Sequence, residues 1–196
     1  SLVGSEMCIR DSVRILTWKK EFNYSAINNF AVREAQGEYL LFLNNDVEII
    51  TENWLEEMLQ LCQQKDVGMV GAKLYYPDDT IQHAGVVVGL GGVAAHVLCK
   101  LPRDAEGYMG RLRCVQEISA VTAACMMVKT SVFKAVGGFD EELKVAFNDI
   151  DLCMKVRKYG VKIVFTPYAE LYHYESKSRG MEDTPEKQLR FSREVN

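Results

Sequence analysis

Apolar and polar positions along this chain follow two rhythms, and the changes of rhythm mark its elements. A short apolar run at residues 13–18 is a candidate strand. Ile27, Phe30, Ala31 and Ala35 then fall at helical spacing, with Ser25 as N-cap and Gly37 as C-terminal stop. Residues 38–43 are mostly apolar and end abruptly in Asn44, Asn45 and Asp46. A run apolar on both faces predicts a buried central strand of a parallel sheet. Leu55, Met58, Leu59 and Cys62 form a stripe at i, i+3, i+4 and i+7, which predicts a helix over 51–65 capped by Thr51 or Asn53. Residues 67–74 are a further strand, and Pro77 with Asp78 and Asp79 is a turn. The Gly- and Val-rich stretch 81–97 predicts extended segments joined by tight turns, with His83 and His96 among them. Residues 101–113 are polar and read as a mobile surface loop. The small apolar run 118–128 predicts a buried strand, followed by a short helix at 132–136 that Gly137 and Gly138 stop. Residues 148–159 predict a helix, acidic in its first turn and basic in its last, with Gly160 after it. Residues 161–165 are a strand that Pro167 ends, and a charged helix starts near Pro185. Helix and strand alternate, which is an α/β pattern.

The end of the strand at 38–43 is the first place where chemistry suggests itself. In open α/β sheets, ligands bind beyond the carboxyl ends of the strands. Asn44 and Asp46, two residues apart, share a strand face there. An ordinary turn uses Asn and Asp as readily, so the stretch alone fits either reading. The same holds elsewhere. Asn28, Asn29 and Arg33 fit a solvated helix face, and a lone His83 or His96 is more often structural than functional. Asp149 and Asp151 suit the positive end of a helix dipole.

Composition narrows the classes. The chain has 196 residues, 48% hydrophobic and 26% charged, the size and balance of one globular domain. A formal net charge of −4 gives no electrostatic footprint for nucleic acid. No apolar run approaches the roughly 18–20 residues that span a bilayer. The six cysteines contain no CxxC pair, and Cys62, Cys125 and Cys153 lie in apolar patterns. They read as buried free thiols, which points to a reducing cytoplasm and leaves attachment to the inner face of a membrane open. Residues 1–12, SLVGSEMCIRDS, have no periodicity and no signal-peptide pattern, and read as an adaptor-like, non-native or flexible tail.

Four stretches in order, NYSAINNFAVREAQGEYLLFLNNDVEI (23–49), TAACMMVKTSVFKAVGGFDEEL (122–143), FNDIDLCMKVRKYG (147–160) and HYESKSRG (173–180), resemble the family 2 glycosyltransferases of GT-A fold. The likeness extends to the bacterial rhamnosyltransferase-like subset that builds surface polysaccharides. The resemblance implies a Rossmann-like mixed sheet flanked by helices. It implies an inverting, metal-dependent transfer of a sugar from a UDP- or dTDP-linked donor to a hydroxyl of a glycan or lipid-linked acceptor. Asn44, Asn45 and Asp46 stand at the family's DxD position. Asp46, with His173 and Asn44, would hold Mg²⁺ or Mn²⁺ against the donor diphosphate, since hard oxygen ligands suit a hard cation. Asn44 replaces the first Asp of the strict motif, and an amide is the weaker ligand.

By the same resemblance Asp149 would be the general base that takes the acceptor's proton, with Asp151 its rival within the same turn. Asn29, Arg33, Asn45, Ser176, Ser178 and Arg179 would contact the donor and its phosphates. Thr122, Ala123, Phe139 and Asp140 would line the acceptor side, with Ala123 in place of a glycine common there. The family opens with a βαβ unit that binds the nucleotide base, and nothing in this sequence matches it. The expectation is therefore a GT-A domain over 13–196 that lacks its first βαβ unit. Two alternatives stay open: a catalytically inactive fragment of such an enzyme, and a nucleotidyltransferase on a similar sheet.

Overall fold

A computed structural model describes residues 13–90 and 93–174. The tail at 1–12, the helix expected near Pro185 and three expected phosphate contacts, Ser176, Ser178 and Arg179, lie outside these residues.

The chain runs α1 (Tyr24–Glu34), β1 (Tyr39–Leu43), β2 (Val47–Ile49), α2 (Trp54–Cys62), β3 (Val67–Tyr75), β4 (Ile81–His83), β5 (Val86–Val88) and β6 (Ala94–His96). A 3₁₀ turn (Tyr108–Arg113) follows, then β7 (Gln116–Glu117), β8 (Cys125–Lys129), α3 (Thr130–Ala135), α4 (Asn148–Tyr159) and β9 (Lys162–His173). The main sheet has the order β1-β8-β3-β9-β2, with β4 beside β3 and β7 beside β9. Among the described residues only the β3–β9 pair is parallel; β1–β8, β8–β3 and β2–β9 are antiparallel. The sheet is thus mixed, as the resemblance implied. β5 and β6 form a separate hairpin.

Period-two side chains divide the core between the two faces of the sheet. Leu40, Phe42, Met126, Val128, Met69 and Phe165 pack on one side with Phe133, Phe139, Leu152, Cys153 and Val156 from α3, the loop after it and α4. Cys125, Met127, Val70, Leu74, Val164 and Leu171 pack on the other with Trp54, Met58 and Cys62 of α2. The result is three layers, helices on both faces of one sheet.

Several local expectations change. β1 is covered on both faces but ends the sheet order, and its one strand neighbour among the described residues, β8, is antiparallel. Apolarity on both faces reports the layers above and below a strand; it carries no information about neighbours in the sheet plane. Residues 13–18 form no strand. The cap of α1 is Asn23, whose side chain accepts from the Ala26 N–H at 2.9 Å, while Ser25 is buried and donates to the Leu143 carbonyl at 2.6 Å. The helix ends at Ala35, two residues before Gly37. In α2 the buried stripe is Trp54, Met58 and Cys62, with Leu55 exposed, because tryptophan displaces leucine from the core-facing edge.

The run at 118–128 is a strand only from Cys125, and the residues before it form the loop of the candidate site. The polar loop at 101–113 places Leu112 in the core and ties Arg103 to Glu170 and Asp79. Pro167 does not end β9. Between paired positions β9 advances from Phe165 to Glu170 while β3 advances from Gly71 to Lys73. Pro167 therefore sits in an irregularity of the ladder, where no N–H is required of it. The strand resumes and reaches His173.

Candidate active site

That continuation of β9 builds the first half of the site. β2 pairs antiparallel with it, Val47 opposite His173, and the Tyr174 N–H donates to the Asp46 carbonyl at 2.8 Å. The turn between β1 and β2 is thereby held against the end of β9. Asn44 Nδ2 lies 3.2 Å from His173 Nε2, and Asp46 Oδ1 lies 3.3 Å from the same nitrogen. Asp46 Oδ1 is shut off from solvent and has no hydrogen-bond partner. His173 is buried, and its Nδ1 lies 2.7 Å from Gln82 Oε1.

The second half lies one residue step away across the sheet end. The Asn44 N–H donates to the Ala124 carbonyl at 2.9 Å, and the Ala123 N–H donates to Asp149 Oδ2 at 3.3 Å. Asp149 Oδ1 accepts from the Ile150 N–H at 2.9 Å, and the Thr122 side chain also bonds the carboxylate. Burial pushes the Asp149 carboxyl up from its ordinary range, against these hydrogen bonds and the nearby His96. Phe147, at φ 58°, is left-handed immediately before α4. A bulky side chain rarely adopts that conformation, and such strain is held where surrounding structure fixes a functional geometry. It turns the chain so that the first turn of α4 meets the 122–124 loop. Asp151, the rival base, instead pairs with Lys155 at 2.7 Å along the helix.

The remaining expected residues separate. Asn29 donates through Nδ2 to the Phe139 carbonyl at 2.9 Å and accepts the Phe139 N–H through Oδ1 at 3.1 Å, so it ties α1 to the 139–141 loop. Asp140 caps that loop through the Glu142 N–H at 2.9 Å. Arg33 is exposed and stacks near the Phe30 ring. Asn45 occupies the turn between Asn44 and Asp46.

Pattern reading missed Gln82 and left the two histidines as isolated residues. His83 is fully buried, its Nδ1 lies 2.8 Å from His96 Nδ1, and its Nε2 has no hydrogen-bond partner. Burial, then the neighbouring His96 and His173, hold its pKa well below the usual imidazole value. The available signal was a polar pair, Gln82 and His83, inside an otherwise apolar extended stretch.

Among the described residues no group of three or more His, Cys, Asp or Glu side chains forms a metal cage. A small protein ligand set nevertheless fits a divalent cation that takes its other ligands from a diphosphate and water. The unpartnered Asp46 oxygen beside an imidazole nitrogen has the donor chemistry for it. Asn44 presents its nitrogen to His173 and would offer its oxygen only after an amide flip.

A mixed sheet between helix layers, with an Asp turn at one strand end, matches the GT-A fold that the sequence resemblance implied. The chain belongs to the glycosyltransferase-like family, whose profile matches residues 10–194. It is 58% identical over 185 residues to the uncharacterized protein y4gI of Sinorhizobium fredii, covering 94% of this chain and 20% of that protein. It is 42% identical over 172 residues to the O-antigen biosynthesis protein RfbC of Myxococcus xanthus, covering 87% of this chain and 14% of that protein. The chain thus spans a fifth or less of the length of these two relatives. Among solved structures it resembles GalNAc-T7 with UDP, GalNAc and Mn²⁺, at a TM-score of 0.66 and 11% identity over 99% of this chain and 39% of that one. It also resembles the mannosyltransferase PcManGT of Pyrobaculum calidifontis with GDP-Man and Mn²⁺, at 0.61 and 15% over 98% of this chain and 49% of that one. Both likenesses support the GT-A fold alone. No helix among the described residues is long and apolar enough to cross a membrane.

Proposed function

We propose that this chain carries the metal- and acceptor-proximal half of a sugar-transfer site, one that moves a glycosyl group from a nucleoside diphosphate to a hydroxyl of a cell-surface glycan or its lipid-linked precursor. The observation that carries the reading is the solvent-excluded, unpartnered Asp46 Oδ1 beside His173 Nε2, in a turn that Asn44 ties to the loop holding the half-buried Asp149. Asp46 and His173, with Asn44 after an amide flip, would hold Mg²⁺ or Mn²⁺, which neutralises the charge that grows on a departing diphosphate. The Mn²⁺ and nucleotide named with the two solved neighbours support that choice of ligand.

In the step itself Asp149 accepts the proton of the acceptor hydroxyl. The oxygen forms a bond to the anomeric carbon, and the bond from that carbon to the diphosphate oxygen breaks with its electron pair. A single base and direct displacement invert the anomeric centre. Thr122 and the Ala123 N–H hold the Asp149 carboxylate in place, and desolvation raises its basicity toward that of a useful general base. Holding acceptor and donor in line supplies much of the remaining acceleration.

Calorimetry of the chain with Mn²⁺ and a panel of nucleoside-diphosphate sugars tests the reading. Binding of a donor with Mn²⁺, lost in Asp46→Ala, is the expected result. Asp149→Asn is expected to lower the transfer rate by about 10²–10⁴-fold while donor binding persists. Normal turnover by Asp149→Asn would overturn the base assignment, and silence across the whole panel would favour a stretch without activity of its own.

A further inference from the structure

β4 is three residues long, and its two polar side chains each meet a different histidine. Gln82 is the one that meets the candidate cation site. It is 5% exposed, and both ends of its amide are engaged. Its Nε2 donates to the His173 carbonyl at 3.3 Å, while its Oε1 lies 2.7 Å from His173 Nδ1. A carbonyl can only accept, so the amide nitrogen belongs at that end and the oxygen faces the ring. An amide oxygen also only accepts, which places the proton of the imidazole on Nδ1.

In the neutral ring this leaves a lone pair on Nε2. That nitrogen lies 3.2 Å from Asn44 Nδ2, a donor, and 3.3 Å from Asp46 Oδ1, an acceptor. The arrangement accounts for the unpartnered state of Asp46 Oδ1. The opposite tautomer would carry a proton on Nε2 and could donate it to Asp46, joining the two atoms to each other instead of presenting them to a third.

We propose that Gln82 is a positioning residue for a divalent cation. By fixing His173 as the Nδ1–H tautomer it keeps Nε2 and Asp46 Oδ1 both available as ligands. The inference rests on the reading of Asn44, Asp46 and His173 as a cation site. An imidazole that binds metal through one nitrogen characteristically donates the other N–H to a fixed acceptor, and loss of that acceptor weakens metal binding.

The test has a readout that needs neither metal nor activity. Nitrogen-15 NMR of the histidine-labelled, metal-free chain, under alkaline conditions where imidazoles are neutral, reports which ring nitrogen of His173 carries the proton. The wild-type chain is expected to show Nδ1–H. Gln82→Met, similar in volume and without an acceptor, is expected to shift His173 toward Nε2–H. Gln82→Glu restores an acceptor and is expected to retain Nδ1–H. A Mn²⁺ titration followed by electron paramagnetic resonance should show affinity about 10–100-fold weaker in Gln82→Met and within about threefold of wild type in Gln82→Glu.

A wild-type chain with His173 as Nε2–H overturns the proposal by itself, whether or not Gln82→Met folds. A folded Gln82→Met that keeps both Nδ1–H and full Mn²⁺ affinity overturns it as well. A wild-type chain that binds no Mn²⁺, alone or with donor, overturns the cation site and the role of Gln82 with it. The tautomer result separates that failure from a failure of the Gln82 assignment alone.

Discussion

At the scale of single residues, two desolvated titratable groups act on stability with opposite signs. Asp149 has its carboxyl pushed up by burial, so the folded chain holds that proton more tightly than the unfolded chain does. Its contribution is most favourable below the unfolded carboxyl pKa of ~3.9 and is lost as pH rises through the folded value. Asp149→Asn is therefore expected to raise the melting temperature at neutral pH while it slows transfer. That gain should shrink on acidification, as a series of thermal melts will show. His83 is the reverse. Burial beside His96 and His173 holds it neutral when folded, so its proton is taken up on unfolding. Its contribution is fully present above the unfolded imidazole pKa of ~6.5 and is lost as pH falls below it. Melts between neutrality and mild acid should fall in the wild type and fall less steeply in His83→Gln. An equal slope in both would remove His83 as the cause.

At the scale of elements, the starts and ends of helices decide which loops they hold. Asn23 caps α1 and also donates through Nδ2 to the Glu141 carbonyl at 2.8 Å. Ser25, two residues on, reaches Leu143 of the same loop. Asn23→Ala is expected to destabilise the fold by about 1–2 kcal/mol through loss of the cap. Ser25→Ala leaves the half-buried Leu143 carbonyl without its donor and should also destabilise, by about 1–3 kcal/mol. Denaturant titrations give both values. Hydrogen exchange distinguishes them, because only the Asn23 change should expose the first amides of α1. The sequence places a cap within two residues of the right one, since Asn and Ser are near-equivalent caps. The choice between them depends on Leu143, a partner 118 positions away.

At the scale of the whole molecule, the three-layer core determines which thiols are reachable. Cys62 and Cys125 have their thiols pushed up by burial to about 11 and about 12, and Cys153 is raised further by the same cause. Thiolate is the reactive form, so all three should resist a thiol reagent in the native state. Cys114 is exposed and Cys99 half-buried. Among the described cysteines, native labelling followed by peptide mapping should find Cys114 modified first and Cys62, Cys125 and Cys153 only after unfolding. Rapid native labelling of Cys153 would contradict the packing of α4 against the sheet.

What the sequence determined by itself is the alternation of helix and strand, the buried faces of most elements and the acidic strand end at Asp46. These follow from spacing within a few residues, where apolar periodicity and turn chemistry act directly. Family resemblance added Asp149 and His173 as partners for Asp46, which spacing alone could not supply. Tertiary structure decided the place of β1 at the end of the described sheet order, the continuation of β9 past Pro167 and the arrival of His173 beside Asn44 and Asp46. It also decided that Gln82 meets the far side of that histidine. Each depends on pairing between segments distant in the chain, 129 positions for Asn44 and His173 and 91 for Gln82 and His173. A ladder forms from whichever partners the whole sheet brings together, so no local pattern encodes it.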